Sequence, residues 1–352
     1  MMKLNKLKVG IAGFGVVGKK RRLCADLNPH LEVVAVCDKN FFKSGVAPEG
    51  VKAFANYEEL LGEDLDVLFV CMTNEIAPTV VKAALRRGIH VFCEKPPGRE
   101  VADLLEVMEV EQQANGPKLM YGFNHRYHYS VQKALEVIQS GQLGSVINLR
   151  GVYGKSKFVA FNQSDWRTDR KIAGGGILLD QGIHLVDLMR LFAGEFTSVQ
   201  SIVSNRHWEL EVEDNAYAIM TTDAGIVGML HSSATEWRHK FRLEITCEDG
   251  ALILAGILSG TKSYGEETLT IVQVDHLNGT GNPSETTTQF DTDPSWEAEI
   301  DAFTNSVLAD SPIKSGSSSD ALKTMQLVYK IYFSDEGWRN KFKIRDPDRG
   351  LG

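Results

Sequence analysis

Residues 7–18, LKVGIAGFGVVG, pass from a short apolar run into three glycines at Gly13, Gly15 and Gly18. In a chain with 32 glycines the spacing alone says little. Its context says more: a strand-like run precedes it, a helical stretch comes after it, and a second apolar run, Leu31–Cys37, ends at Asp38, 20 residues beyond Gly18. Such a strand, glycine turn and helix bind a dinucleotide. Gly13 makes the tight turn, Gly15 lets backbone approach a pyrophosphate, Gly18 lets the helix pack closely, and the helix N-terminus receives the phosphates. Phe14, Val16 and Val17 complete the turn. The Asp38 carboxylate can accept hydrogen bonds from the adenosine ribose and would repel a 2′-phosphate, which favours NAD over NADP, although the adjacent Lys39 pulls the other way.

Strands and helices keep alternating beyond Asp38. Helical patterns near Tyr57–Leu61, Ile76–Arg87 and Val101–Ala114 separate the apolar runs Val67–Cys71, Ile89–Cys93 and Lys118–Phe123. Strands this rich in Val, Ile and Leu predict a parallel sheet covered on both faces. After Phe123 the rhythm changes. A helix over Ser130–Ser140 leads to a strand over Ile147–Tyr153, and a second helix begins at Gly174. Seven further strand-like runs follow: Val199–Val203, Tyr217–Thr222, Ile226–Ser232, Arg242–Thr246, Ala251–Leu254, Thr268–Val274 and Thr286–Phe290. Turn signals such as Asp223-Ala-Gly225 and Glu248-Asp-Gly250 join several of them. The chain therefore divides into a doubly wound Rossmann domain over 1–122 and an α+β domain over 123–352 with a large, mostly antiparallel open sheet. The run Ser315-Gly-Ser-Ser-Ser-Asp320 reads as the cap of a helix over Ala321–Phe333, and the helix 320–336 is free to pack back on the Rossmann domain.

Composition narrows the function. With 43% hydrophobic and 24% charged residues the chain is an ordinary globular protein. A net charge of −8 argues against nucleic acid as a partner, which would require a basic face. The basic cluster Lys19-Lys-Arg-Arg22 reads as a solvated helix face near a cofactor phosphate. None of the five cysteines forms a CxxC pair, so they read as reduced core residues. No secretory h-region and no apolar run of roughly 18 residues is present, so no membrane partner is expected and the cytoplasm is the expected location.

Two further stretches carry chemistry. Cys93-Glu-Lys-Pro-Pro97 follows a strand at the C-terminal edge of the parallel sheet, where ligands bind in open α/β folds. A lysine there could steady an oxygen as it becomes an alkoxide, but an isolated EKP is more often a surface ion pair before a turn. The stretch 174–187, GGGILLDQGIHLVD, sets Asp180, His184 and Asp187 at i, i+4 and i+7 of a helix, on one polar face amid apolar residues. By itself that face could simply meet solvent.

Taken together, Gly13–Gly18, Glu94-Lys95-Pro96, Gly122-Phe-Asn-His-Arg-Tyr127 and the Gly174 stretch resemble the Gfo/Idh/MocA oxidoreductase family, named for glucose–fructose oxidoreductase, inositol dehydrogenase and a rhizopine-catabolism protein. The resemblance runs over nearly the whole chain. It implies that Lys95, Asp180 and His184 form the catalytic group of an NAD(P)-dependent dehydrogenase or reductase acting on a CH–OH group of a sugar, cyclitol or sugar derivative, possibly nucleotide-linked. His184 would carry the proton, a task suited to a residue type whose unperturbed pKa is about 6.5. Asp180 would bind the hydroxyl or orient the imidazole, and Asp187 would be a structural anchor. The resemblance also places Asn124, Trp166 and Arg167 beside the nicotinamide, His125, Lys155 and Lys157 among the substrate contacts with Lys95, Asp180 and His184, and Arg126 in a structural pair. Thr73, Asn74, Glu94 and Lys95 join the expected cofactor contacts.

Three rival readings remain at this level. A zinc dehydrogenase could use His125, His128 and His184, but the cysteines lack zinc-ligand spacing and no metal is expected. An NAD-binding regulator of the same fold would be expected to lack Lys95 or His184. An NAD-dependent glycosidase working by transient sugar oxidation would need much the same groups. The second sheet has no evident helix layer for one face, which predicts a homodimer or homotetramer through that sheet.

Overall fold

Strand β1 (Leu7–Ala12) buries Val9, Ile11 and Ala12 completely in the computed structural model. The structure describes residues 6–41, 45–46, 50–158, 165–259, 262–274 and 282–348. The remaining strands of the first sheet are β2 (Leu31–Cys37), β3 (Gly45–Val46), β4 (Lys52–Phe54), β5 (Val67–Val70), β6 (His90–Glu94) and β7 (Leu119–Gly122). Their order is β3-β4-β2-β1-β5-β6-β7, and every pair is parallel except β3 with β4. The chain reverses direction across the sheet between β2 and β5, on either side of β1, the crevice position at which open α/β sheets bind ligands.

The chain packs as two compact units, residues 1–124 with 296–322 and residues 125–295 with 323–352. The sequence pattern assigns 296–322 to the second domain. The segment belongs to the first because the helix Ser295–Leu308 carries Phe303 against Phe69 and Phe92, with ring centroids 6.5 and 5.8 Å apart. The helix Val16–Leu27 brings Arg21 to the same core. Its guanidinium donates to Glu94 at 2.6 Å and to Glu299 at 2.7 Å with no exposed surface. The basic cluster is thus not simply a solvated face: Arg21 is a buried tie, and losing one partner of such a pair costs roughly 3–5 kcal/mol.

The second unit is built on eight strands: β8 (Val146–Ser156), β9 (Phe196–Ser204), β10 (Asn215–Thr222), β11 (Val227–Glu236), β12 (Lys240–Cys247), β13 (Gly250–Ala255), β14 (Glu267–Val274) and β15 (Pro283–Phe290). Their order is β15-β14-β13-β12-β8-β11-β10-β9, with only β8 and β11 parallel. Side chains alternate with the pleat. One face takes the helix Ile183–Ala193, so close at β8 that a Cβ on Gly151 would lie 2.8 Å from Leu185. The other face leaves Ile202 67%, Tyr217 45%, Ile219 51% and Met229 48% exposed around a shallow depression of about 570 Å³.

Candidate active site and cofactor loop

In the first unit the glycine turn is shaped from within and open outward. Gly13 has φ 91°, and a Cβ there would sit 2.3 Å from the Cys71 carbonyl oxygen. A Cβ on Gly18 would sit 2.0 Å from the Gly13 oxygen, whereas one on Gly15 would meet nothing within 4 Å among the described residues. Gly15 is also the N-cap of the 12-residue helix, with no side-chain cap and no acidic residue in its first turn. An uncapped helix start beside a vacant Cβ position fits a pyrophosphate. Val16 and Val17 open that helix, and Val16 is largely exposed. Asp38 Oδ2 accepts the Phe14 N–H at 2.9 Å and Oδ1 accepts the Asn40 N–H at 2.9 Å, which fixes the carboxylate at the end of β2. Lys39 is exposed beside it. These residues fit a dinucleotide.

The remaining first-unit candidates lie at strand ends. Thr73 follows β5, and its carbonyl accepts the N–H groups of Ile76 and Ala77; Asn74 beside it is buried. Glu94 ends β6 with its carboxylate on Arg21. Lys95 comes next, half-buried, and is joined to Pro96 by a cis peptide bond. Asn124, also buried, opens a short 3₁₀ turn after β7.

In the second unit the Gly174 stretch departs from the continuous helix expected of it. Leu178–Gly182 is a π-helical turn, and the α-helix starts only at Ile183. Two close approaches accompany this. A Cβ on Gly176 would lie 2.2 Å from the Glu213 carbonyl oxygen, and one on Gly182 would lie 2.5 Å from Ser232 Oγ. Single π-helical turns recur at functional positions because they re-aim side chains. Here the expected polar face divides. Asp187 is fully buried and takes a two-pronged ion pair from Arg126, with both contacts at 2.6 Å, plus a hydrogen bond from Thr324 at 2.9 Å. Asp180 stays half-buried, 3.5 Å from Arg167 Nε.

His184 is 5% exposed, and the His125 ring lies flat against it at 3.8 Å with planes 10° apart. His125 Nε2 is 3.0 Å from Tyr153 Oη. Burial holds the Tyr153 phenol well above its usual range, so it stays protonated. Arg167 packs over Trp166 and also reaches Asp165 at 3.3 Å. Lys155 and Lys157 sit on or just beyond β8, and the Lys157 ammonium lies 3.6 Å from the centre of the Trp237 ring. His128, the extra imidazole of the zinc reading, is buried against Glu267 at 2.8 Å. Among the described residues no group of three or more His, Cys, Asp or Glu is arranged to hold a metal ion.

Sequence reading misses Glu213, which is wholly buried. Its carboxylate accepts the Gly176 N–H at 2.7 Å, the Leu178 N–H at 2.9 Å and the Tyr332 hydroxyl at 2.6 Å. Glu213 therefore caps the segment that carries Asp180 and His184. Only its position before Asp214 and Asn215, at the start of a strand, hints at this. Tyr153 is missed because an aromatic residue in a strand ordinarily reads as core, and Tyr264, in the turn before β14, because no motif marks it.

The comparisons with known proteins agree for both domains. Residues 7–123 match an oxidoreductase family with an NAD-binding Rossmann fold, and residues 131–253 match the Gfo/Idh/MocA C-terminal domain. The chain is 26% identical over 328 residues to a D-xylose 1-dehydrogenase (NADP(+)) of Haloferax volcanii, covering 91% of this chain and 96% of that one. It is likewise 26% identical over 278 residues to inositol 2-dehydrogenase of Salmonella typhimurium, covering 76% and 80%. The fold superposes on levoglucosan dehydrogenase in complex with NADH and levoglucosan with a TM-score of 0.82, at 19% identity and over 95% and 98% of the two chains. With both domains matched in order, the chain belongs to the Gfo/Idh/MocA family of NAD(P)-dependent oxidoreductases.

Proposed function

We propose that this oxidoreductase interconverts a secondary alcohol and a ketone on a sugar, cyclitol or sugar derivative, with NAD preferred over NADP. The observation that carries the reading is the buried His184, stacked on His125 and set one turn from Asp180 in a segment whose start Glu213 caps. Nicotinamide, when bound, supplies the hydride acceptor or donor. His184 takes the proton of the reacting hydroxyl during oxidation and returns it during reduction. Asp180, 3.5 Å from Arg167 Nε, accepts a hydrogen bond from the substrate and orients it. Lys95 donates to the substrate oxygen and steadies negative charge as it develops. His125 serves beneath His184, holding the ring plane. The names of the relatives, which act on xylose, inositol and levoglucosan, support this substrate class.

The NAD preference rests on Asp38, whose fixed carboxylate would stand against a 2′-phosphate. Incubation with NAD or NADP and a panel of polyols, sugars and sugar acids, followed by the absorbance of the reduced cofactor, tests the reading. Stoichiometric NADH supports it. Product without net NADH would replace it with the transient-oxidation glycosidase. We further propose that the exposed face of the second sheet is covered by another copy, so sedimentation should give a mass above the 39.0 kDa monomer. We also propose a cytoplasmic location; no described helix is long and apolar enough to cross a membrane.

A further inference from the structure

A row of rings leads away from the buried His184–His125 stack within the second unit. The Tyr153 ring is 5.5 Å from His125, Tyr264 is 5.3 Å from Tyr153, and His239 stacks on Tyr264 at 4.7 Å. His239 Nδ1 accepts the Ser156 N–H at 3.0 Å, and Ser156 Oγ donates to the Trp237 carbonyl. Burial and the nearby Lys155 ammonium both hold His239 below the usual histidine range, so Lys155 also faces this row. At its outer end Trp237 and Phe158 are each 70% exposed, with ring centroids 5.5 Å apart. Exposure thus rises steadily from the stacked histidines, through the half-buried Tyr264 and His239, to an open aromatic pair. A large exposed aromatic pair tied to this row through Ser156 is an unusual surface feature and calls for an occupant.

We propose that Trp237 and Phe158 form a second subsite, for a sugar ring glycosidically attached to the ring whose carbon is oxidised. This rests on the sugar-oxidising reading above and narrows its substrate class to glycosides of two or more rings. The row is longer than one pyranose, and an exposed indole offers the apolar face on which the C–H side of a sugar stacks. A nucleotide sugar fits less well. Two of the cations a diphosphate would require are engaged, Lys157 over Trp237 and Arg167 on Asp165 and Asp180, while Lys155 faces the row. The Glu236 side chain also crosses β8, where a Cβ on Gly154 would lie 2.4 Å from its Cγ, and its carboxylate would repel phosphate while accepting bonds from sugar hydroxyls.

The test uses the intact chain with NAD. Maltose, cellobiose, glucose, methyl glucoside and UDP-glucose are the probes, followed by turnover and by ligand-observed NMR. Trp237→Ala and Phe158→Ala should weaken disaccharide binding and kcat/KM by roughly tenfold or more, the scale of one lost aromatic contact, and leave one-ring sugars within about twofold; Trp237→Phe should recover most of the loss. Equal losses for one-ring and two-ring sugars, or no loss for either, would overturn the subsite. So would a Trp237 dependence confined to UDP-glucose, or a Trp237→Ala chain that sediments as a smaller species, which would make the pair a nucleobase platform or a subunit contact. Disaccharides that bind through Trp237 without any NAD reduction would leave the subsite standing and remove the sugar-oxidising reading. Binding of no sugar at all would remove both.

Discussion

The molecule makes two helix starts from closely spaced glycines and finishes them in opposite ways. At Gly13–Gly18 the turn is tight inside, but among the described residues nothing beyond its chain neighbours lies within 4 Å of a Cβ on Gly15, and no side chain of them caps the helix. At Gly174–Gly176 the space is filled from within, because Glu213 takes the Gly176 and Leu178 N–H groups and a Cβ on Gly176 would overlap the Glu213 backbone. The first start is left for a ligand's negative charge. The second is closed by the protein's own, which makes it a rigid mount for Asp180 and His184. A glycine cluster therefore says that backbone must come close to something, and only the surroundings say whether that is a ligand or the chain itself.

The comparison breaks most severely at the closed start. Gly176→Ala places its Cβ 2.2 Å from the Glu213 carbonyl oxygen and 2.8 Å from its nitrogen, where no flexible side chain can give way. It should cost at least about 4 kcal/mol of stability, read as a lower urea midpoint or failure to fold. Glu213→Ala leaves two buried N–H groups and the Tyr332 hydroxyl without their acceptor and should cost roughly 3 kcal/mol or more. Burial holds the Glu213 carboxyl above its usual range. The folded chain then binds that proton more tightly than the unfolded one, so this contribution is full below the ordinary glutamate pKa and is lost as pH rises through the raised folded value. Glu213→Gln should remove that part of the pH dependence in urea titrations at several pH values.

Next come the groups that the closed start carries and the lysine beyond Glu94. His184→Ala and Lys95→Ala should each lower turnover by roughly a hundredfold, about 2.7 kcal/mol of barrier. NAD binding, followed by fluorescence titration, should stay within a few-fold of wild type, because the glycine turn and Asp38 are untouched. Wild-type oxidation should also rise with pH through one ionisation, and the His184→Ala profile should lack that limb. Near-normal turnover by His184→Ala would reduce the closed start to a packing device.

The open start is more completely legible in the sequence than the closed one, for a physical reason. The open start is defined by its near neighbours along the chain: a strand, three glycines, a helix and an acid at the end of the next strand, all within residues 7–38. The closed start is completed by Glu213 and Tyr332, far along the sequence, and its π-helical turn changes the periodicity by which helical faces are recognised. Strands such as β10 and β12 are legible because more exposed and buried side chains alternate, as at Tyr217, Ala218, Ile219 and Met220. Strands β3 and β4, only two and three residues long, are too short to show any period. The return of residues 296–322 to the first unit is hidden because Phe303 and Glu299 find partners only in three dimensions.

At the open start the expected effect is smaller and confined to binding. Gly15→Ala meets no atom of the described residues beyond its chain neighbours, so thermal stability should stay within about 0.5 kcal/mol of wild type. The added methyl stands where a pyrophosphate would approach the helix start, so the dissociation constant for NAD should rise by about tenfold. A Gly15→Ala chain that binds NAD normally would mean that the space around Gly15 is not the phosphate site, and the contrast between the two starts would fail.

The finest distinction concerns Asp38, which has two tasks. One carboxylate oxygen holds the Phe14 N–H and the other holds the Asn40 N–H, so the residue shapes the turn in addition to its proposed task at the ribose. Asp38→Ala removes both functions, and its effect on NAD would mix a loosened loop with a lost ribose contact. Asp38→Asn separates them, because the amide oxygen can still accept the Phe14 N–H while the negative charge is gone. If charge sets the preference, Asp38→Asn should bind NAD within a few-fold of wild type and gain several-fold in kcat/KM with NADP, as repulsion of the 2′-phosphate is relieved and Lys39 is left as the nearest charge in sequence. Asp38→Ala should gain less with NADP and lose more with NAD. A wild type that already prefers NADP would make Lys39 the deciding group, and the Asp38→Asn change would then leave the ratio of the two cofactors where it was.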